Sequence, residues 1–274
     1  MDKASILQQA RLMNNQRIAE GTYSMELSAP DIAASAQPGQ FVMVSVAGGA
    51  DPFLRRPFSI AGMDADSGAI RLVYQVVGRG TMQMAQWGSG YEVDLLGPLG
   101  NGFFWGETLR TATLVGGGLG TAALLPLAKE LRAQGVAVTA FIGARHKGLL
   151  FGLDQLSAFG CTVNIATEDG SAGFTGFATH PLEAYVASIQ GPQAMSAGKH
   201  MLFACGPAPF LEAITILCAE YSLSGQISME ERMGCGFGVC IGCSVQTRAG
   251  EGILQKKVCS DGPVFSAGEV VFHG

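Results

Sequence analysis

Thr113-Leu114-Val115-Gly116-Gly117-Gly118-Leu119-Gly120-Thr121-Ala122-Ala123 is the stretch on which the fold turns. A short apolar run enters a cluster of glycines, and Leu124 to Gln134 leaves it with helical periodicity. Gly118-x-Gly120-x-x-Ala123 matches the dinucleotide fingerprint in the strand–turn–helix setting that its physics requires. The helix N-terminus would hold a ligand pyrophosphate. Downstream, strands are expected at Val136–Gly143, Thr162–Thr167 and Met201–Cys205, with a helix from Pro209 to about Tyr221. Strands alternating with helices predict an α/β unit with a parallel sheet. Cys205-Gly206-Pro207 ends one of these strands, where open parallel sheets bind ligands. Taken without context, Cys205 reads more readily as a small buried residue. An acidic residue to hold a ribose hydroxyl is expected after Val136–Gly143. Ala144-Arg145-His146-Lys147 stands there instead. It is either a 2′-phosphate site, hence NADP, or a solvated basic loop, and the residues leave NAD against NADP open.

Upstream, the rhythm is different. Tyr23–Leu27, Phe41–Val46, Phe58–Ala61, Ile70–Val77 and Glu92–Leu96 are short strand candidates separated by Gly-rich turns. Such spacing predicts an antiparallel barrel or sandwich. Met1 to Gln9 reads as a short helix or a frayed end. Leu54-Arg55-Arg56-Pro57-Phe58-Ser59-Ile60 opens one strand. Alternation puts Arg56 and Phe58 on one face and Ser59 toward the other. The Arg56 fork suits a pyrophosphate, although a surface arginine beside a core Phe58 satisfies the same pattern. Val77-Gly78-Arg79-Gly80-Thr81 offers free N–H groups to phosphate, with Thr81 capping a following helix, or is an ordinary turn. Gly97 to Gly102 closes the β region.

Four of the seven cysteines lie near the C-terminus: Cys235, Cys240 and Cys243, then fifteen residues, then Cys259. C-x4-C-x2-C…C is the plant-type ligand spacing of a [2Fe–2S] cluster. Three thiolates from one loop require a tight curl, and Gly234, Gly236, Gly238 and Gly242 alternate with them. Amide N–H groups can then aim at the sulfurs. Zinc sites more often show two short ligand pairs, and disulfides are not expected without a secretory signal. Glu230 and Glu231, just before the loop, are either solvated charges or face the ligand side.

The totals narrow the classes. A chain of 274 residues is long enough for about two compact domains and a small appendage. The formal net charge is −5, and no basic concentration suggests nucleic acid or an anionic membrane. Mean hydropathy is +0.29. The uncharged run Thr111–Ala128 is nonetheless a poor spanning helix, because it holds Gly116, Gly117, Gly118, Gly120 and Pro126. Cys161, Cys205 and Cys218 fit a reducing compartment, so a cytoplasmic location is expected.

Taken together, these motifs resemble the electron-transfer subunits of class B dihydroorotate dehydrogenases, within the ferredoxin–NADP reductase superfamily. The resemblance spans essentially the whole chain. It implies an FAD-binding antiparallel β-barrel at 1–108, a Rossmann-like NAD-binding α/β domain at 109–225 and a [2Fe–2S] segment at 226–274. Arg56, Pro57, Phe58 and Ser59 look like the family's flavin motif, and Val73, Tyr74, Gln75, Gly80 and Thr81 like further FAD contacts. Gly116, Gly117, Gly118, Gly120 and Thr121 look like its nucleotide loop, and Cys205, Gly206 and Pro207 like its nicotinamide side. Cys235, Cys240, Cys243 and Cys259, followed by Asp261-Gly262-Pro263-Val264-Phe265, look like its cluster segment. Two departures are visible: Ala122-Ala123 where a proline is usual, and Phe58 without the hydroxyl of a tyrosine. The implied partner is an FMN-containing catalytic subunit, in a heterotetramer of two of each, serving pyrimidine biosynthesis with NAD. No catalytic acid, base or nucleophile is assigned in this chain. Rival readings are a flavin and iron–sulfur subunit of a sulfide dehydrogenase, hydrogenase or bifurcating transhydrogenase, or a non-enzymatic redox sensor or scaffold. In some of those relatives aspartate replaces the first cluster cysteine, so Cys235 leans toward the dihydroorotate enzyme.

Overall fold

The computed structural model describes residues 6–46, 51–189, 198–250 and 252–272. The first unit holds β1 (Ile6–Ala19), β2 (Thr22–Ser28), α1 (Pro30–Ser35), β3 (Phe41–Val44), β4 (Arg56–Asp64), β5 (Ala69–Gln75), α2 (Arg79–Met84) and β6 (Glu92–Leu99). Its strands close into a barrel in the order β1-β2-β5-β4-β3-β6, every pair antiparallel. Closure removes the exposed edges that an open sheet would present. Leu12, Met25, Leu27, Val42, Ile60, Leu72 and Leu95 fill the interior without exposure.

β1 corrects the expected helix or frayed end at Met1–Gln9. Ile6–Gln9 is strand, paired with Gly97 to Asp94 of β6, and Met1–Ser5 lie outside the described residues. The strand is hard to see in the sequence because it buries few apolar side chains, Ala10 and Leu12 among them. Asn15 accounts for much of the rest. Its side chain donates to the Met84 carbonyl at 2.8 Å and accepts from the Tyr74 hydroxyl at 3.0 Å. A polar residue thus ties β1 to α2 and β5 from inside.

The second unit follows as β7 (Thr111–Gly117), α3 (Thr121–Ala133), β8 (Ala137–Ala144), α4 (Leu153–Ala158), β9 (Thr162–Thr167), β10 (Phe174–Thr175), α5 (Thr179–Ile189), β11 (His200–Cys205), α6 (Ala208–Glu220) and β12 (Gly225–Ser228). The C-terminal stretch adds a hairpin, β13 (Ser244–Ala249) with β14 (Gly252–Lys257), and β15 (Val264–Ser266). The seven-stranded sheet runs β10-β9-β8-β7-β11-β12-β15, parallel except for β15. The stretch 226–274, expected as a cluster segment, therefore also lends strands to this sheet.

The chain leaves β7 in one direction through β8 and β9, then returns to its other side with β11. The carboxyl ends of β7 and β11 are thus a topological switch point, where such sheets bind ligands. Gly120 lets the two meet: a Cβ there would lie 2.1 Å from the Cys205 carbonyl oxygen. A small apolar joint of Ala61, Val73, Ala122 and Phe151 seats the barrel on the sheet. The C-terminal stretch is latched to the barrel by Asn101, whose N–H donates to the Gly262 carbonyl at 2.6 Å. No helix among the described residues is long and apolar enough to cross a membrane.

Candidate functional site

Two clefts and a cysteine loop lie in series. The first cleft, about 550 Å³, opens where β4 and β5 meet the stretch after β12. Arg56, Pro57, Phe58 and Ser59 all line it, as do Val73, Tyr74, Gln75 and Thr81. The cleft takes in Ser59 together with Arg56 and Phe58 despite the expected split of faces. Phe58 meets Tyr74 edge-on at 5.9 Å. Burial pushes the Tyr74 hydroxyl up to about 12, against the pull of its Asn15 hydrogen bond, so it stays a protonated donor. Thr81 sits inside α2 rather than before it. Its hydroxyl accepts from the Val77 and Gly78 N–H groups at 3.0 and 3.2 Å, which organises the turn from within. Gly80 stands under Arg56: a Cβ there would meet Arg56 Nε at 3.0 Å. A guanidinium, a glycine turn and an aromatic wall are the donor set that an FAD pyrophosphate and ring require.

The second cleft, about 680 Å³, lies over the switch point. Gly117, Gly118, Gly120, Gly206 and Pro207 line it. Gly118 takes φ +56° with open space where a Cβ would be, leaving the backbone accessible to a diphosphate. Gly116, Thr121 and Cys205 lie beneath and do not line it. Gly116 is packed against Thr121, whose hydroxyl would sit 2.7 Å from a Cβ. Cys205 is 1% exposed, and burial pushes its thiol far up, with the Glu230 charge adding to the shift. It acts here as a small buried residue.

Sequence reasoning missed two groups, Leu119 and Glu168. Gln75, Leu119 and Glu230 line both clefts, so the two meet there. Gln75 was expected as a flavin contact, but its place at the junction was not. Glu230, left open between a solvated charge and the ligand side, borders both clefts while remaining exposed, and the desolvation it meets there pushes its carboxyl up. Glu168 is the other missed group. No acid follows β8, but β9 lies beside it in parallel register, Ala144 opposite Thr167. Glu168, the next residue, enters the cleft with Arg145 and Phe177. An acid thus borders the cleft from the end of β9 rather than from the end of β8. Thr167-Glu168-Asp169-Gly170 carried that signal at the end of an expected strand.

The cysteines form the last piece. Cys235 and Cys240 exchange N–H donors, each amide 3.4 Å from the other's sulfur. The Cys259 amide donates to Cys243 Sγ at 3.4 Å, and the Gly238 amide to Cys259 Sγ at 3.1 Å. Cys243 and Cys259 are each 2% exposed, whereas Cys240 is exposed. Among the described residues no three His, Cys, Asp or Glu side chains converge as a single-ion site. Amide donors link Cys235 with Cys240 and Cys243 with Cys259, and four thiolates are the ligand set that a two-iron core takes. Burial, the neighbouring Cys243 thiol and the Cys235 charge push Cys259 up to about 12. At Cys235 burial also pulls upward, but donors from Cys240, Phe237 and Val239 overrule it and hold the thiol near 6. Crowded sulfurs ringed by amide donors want a positive core between them. Gly234 and Gly242 leave room, their absent Cβ atoms 3.2 and 3.5 Å from Cys240 Sγ. Gly236 takes φ +83° directly over Met43.

Barrel, switch-point cleft and paired cysteines define a flavin- and iron–sulfur-dependent pyridine-nucleotide oxidoreductase of the ferredoxin–NADP reductase type. The profile of the iron–sulfur cluster binding domain of dihydroorotate dehydrogenase B matches residues 230–271. The electron transfer subunit of dihydroorotate dehydrogenase B (NAD(+)) from Bacillus caldolyticus is 43% identical over 256 residues, 93% of this chain and 94% of that one. Its counterpart from Desulforamulus reducens is 36% identical over 96% of this chain and 98% of its own. The chain belongs to this family of electron transfer subunits. Among solved structures, that of an NADH-dependent reduced ferredoxin–NADP oxidoreductase, described for flavin-based electron bifurcation, superposes with a TM-score of 0.83. Its identity is 28%, over 99% of this chain and 91% of that one. Phthalate dioxygenase reductase shares the fold at a TM-score of 0.63 and 16% identity, over 89% and 88% of the two chains. The chain is thus an electron-transfer component working with FAD, a [2Fe–2S] cluster and NAD.

Proposed function

We propose that this chain carries electrons between NAD(H) and an FMN-containing dihydroorotate dehydrogenase catalytic subunit, in pyrimidine biosynthesis and as a heterotetramer of two of each. The observation that carries the proposal is continuity. The nucleotide cleft joins the flavin cleft at Gln75, Leu119 and Glu230. The flavin cleft is walled in turn by Phe41 and Met229, which share one buried core with Met43, Cys243 and Cys259.

When bound, the nicotinamide and flavin exchange a hydride, and the cluster takes electrons one at a time. The residues hold and shield these groups. Arg56, with the Gly78–Thr81 turn, holds the FAD diphosphate. Phe58, Ser59 and Tyr74 line the ring. The Gly117–Gly120 amides and Gly206-Pro207 position the nucleotide, with Glu168 accepting a ribose hydroxyl, which favours NAD over NADP. Phe41 and Met229 exclude water between flavin and sulfurs. Beyond them Phe237, Val239 and Ile241, 52%, 74% and 69% exposed, ring Cys240 with apolar surface. That ring is the face offered to the catalytic subunit.

Anaerobic addition of NADH to the purified chain, followed by absorbance and low-temperature EPR, tests the path. Bleaching of the flavin band with a reduced [2Fe–2S] signal is expected. A flavin that stays oxidised, or a chain holding zinc without iron, would overturn the reading. The likeness to the NADH-dependent reduced ferredoxin–NADP oxidoreductase structure keeps a second reading, a subunit of a bifurcating complex. Reduction of the chain by dihydroorotate plus a purified FMN subunit separates the two.

A further inference from the structure

Two consecutive lysines end β14, and the fold uses them differently. Lys256 Nζ pairs with Glu269 Oε1 at 2.6 Å. Lys257 Nζ instead donates to the Gly238 carbonyl at 3.0 Å, inside the cysteine loop. Among the described residues no carboxylate stands within ion-pair distance of the Lys257 ammonium. Gly238 takes φ +88°, and a Cβ there would crowd the Ser260 side chain at 3.2 Å. Its N–H donates to Cys259 Sγ at 3.1 Å. Gly238 is therefore gripped from both sides, by an ammonium at its carbonyl and by a ligand sulfur at its amide. The backbone under Lys257 is fixed as well. Its N–H donates to Asp261 Oδ2 at 2.6 Å, and its carbonyl accepts from the Ser260 and Asp261 amides at 3.2 and 2.8 Å.

We infer that Lys257 is a positioning residue for the cluster: its ammonium sets the Gly238 amide on Cys259 and its charge eases electron entry into the four-thiolate cage. Entry of one electron adds one negative charge to the cage, so a nearby cation stabilises the reduced form over the oxidised one. Amide donors to the ligand sulfurs act in the same direction. Asp261 is the opposing charge in this turn, but its Oδ2 is held at the Lys257 N–H rather than at the ammonium. The inference rests on the cluster reading proposed above, and iron content with the EPR signal of the unaltered chain decides that reading first.

The test is EPR-monitored potentiometry on the full-length, cluster-loaded chain and its Lys257→Arg, Lys257→Gln and Lys257→Met variants. Arg keeps charge and donor, Gln keeps a donor alone, and Met keeps neither. Lys257→Arg is expected at the wild-type potential. Lys257→Gln and Lys257→Met are expected to be harder to reduce, the ratio of reduced to oxidised cluster falling about tenfold at a fixed applied potential. For one electron that is about 59 mV. If Lys257→Met fails to hold iron, the Gln and Arg variants carry the comparison. Equal potentials for those two overturn the inference.

Discussion

Arg56 is the residue on which the proposed flavin site depends most directly. It is half-buried over Gly80, its Nη1 donates to the Leu54 carbonyl, and it borders a cleft with Phe58 and Tyr74 beyond it. A charged hydrogen bond contributes about 1.5–3 kcal/mol. Arg56→Ala should therefore weaken FAD by roughly ten- to a hundredfold, read as flavin lost on dialysis, with iron content unchanged. Full flavin retention would remove Arg56 from the site. Glu230 gives a second prediction, through pH. Burial raises its carboxyl above the ordinary 4.5, so the folded chain holds this proton more tightly than the unfolded one. The stability due to the neutral form is fully present below about 4.5 and is lost as pH rises through the raised folded value. The melting temperature of Glu230→Gln minus that of the native chain should therefore grow with pH across that window. A difference that stays flat with pH would mean that the cleft does not perturb Glu230.

At the scale of elements, the close approach of α3 to β11 is the joint on which the nucleotide cleft is built. Gly120→Ala would drive a methyl into the Cys205 carbonyl at 2.1 Å, backbone against backbone with no side chain to yield. Overpacking of this kind costs about 1–3 kcal/mol. The variant should melt lower and bind NADH more weakly, whereas Gly135→Ala, with nothing within 4 Å, is strained only by its φ of +80°. Equal NADH affinity in the two variants would show that the loop has slack. The same joint shows what was legible beforehand. The strand, glycine turn and helix from Thr113 to Gln134 were legible, because glycine spacing and helical periodicity are both local. So were the four cysteines, whose spacing is itself the geometry. β1 was not, because its Ile6–Arg11 end pairs with β6, far along the chain, and its burial is partly polar, through Asn15. The sequence left Glu230 open between solvent and the ligand side, because its place at the cleft junction is set by β12 pairing with β11 and β15. Glu168 was hidden for a related reason: its place beside Ala144 comes from strand register, a long-range property.

Across the whole molecule the two clefts and the cysteine loop lie in series. The nucleotide cleft opens on the switch point, the flavin cleft adjoins it, and the cysteines follow, Cys243 and Cys259 buried and Cys240 at the surface. Such an order lets the two ends be separated by mutation. Cys240→Ala removes the exposed member of the Cys235 pair, and with it a full ligand set for two irons. The residues proposed to contact the flavin belong to β4, β5 and α2, which draw on a different core from the cysteines. The variant should therefore lose iron and the reduced-cluster EPR signal while keeping FAD. NADH oxidation by a two-electron dye should persist near the native rate, and transfer to the FMN subunit should fall at least a hundredfold, which is about 2.7 kcal/mol in the barrier. If coupled turnover with dihydroorotate survives in a chain shown to lack iron, the electrons bypass the cysteines. The apolar ring of Phe237, Val239 and Ile241 would then be a docking surface without a conductor beneath it.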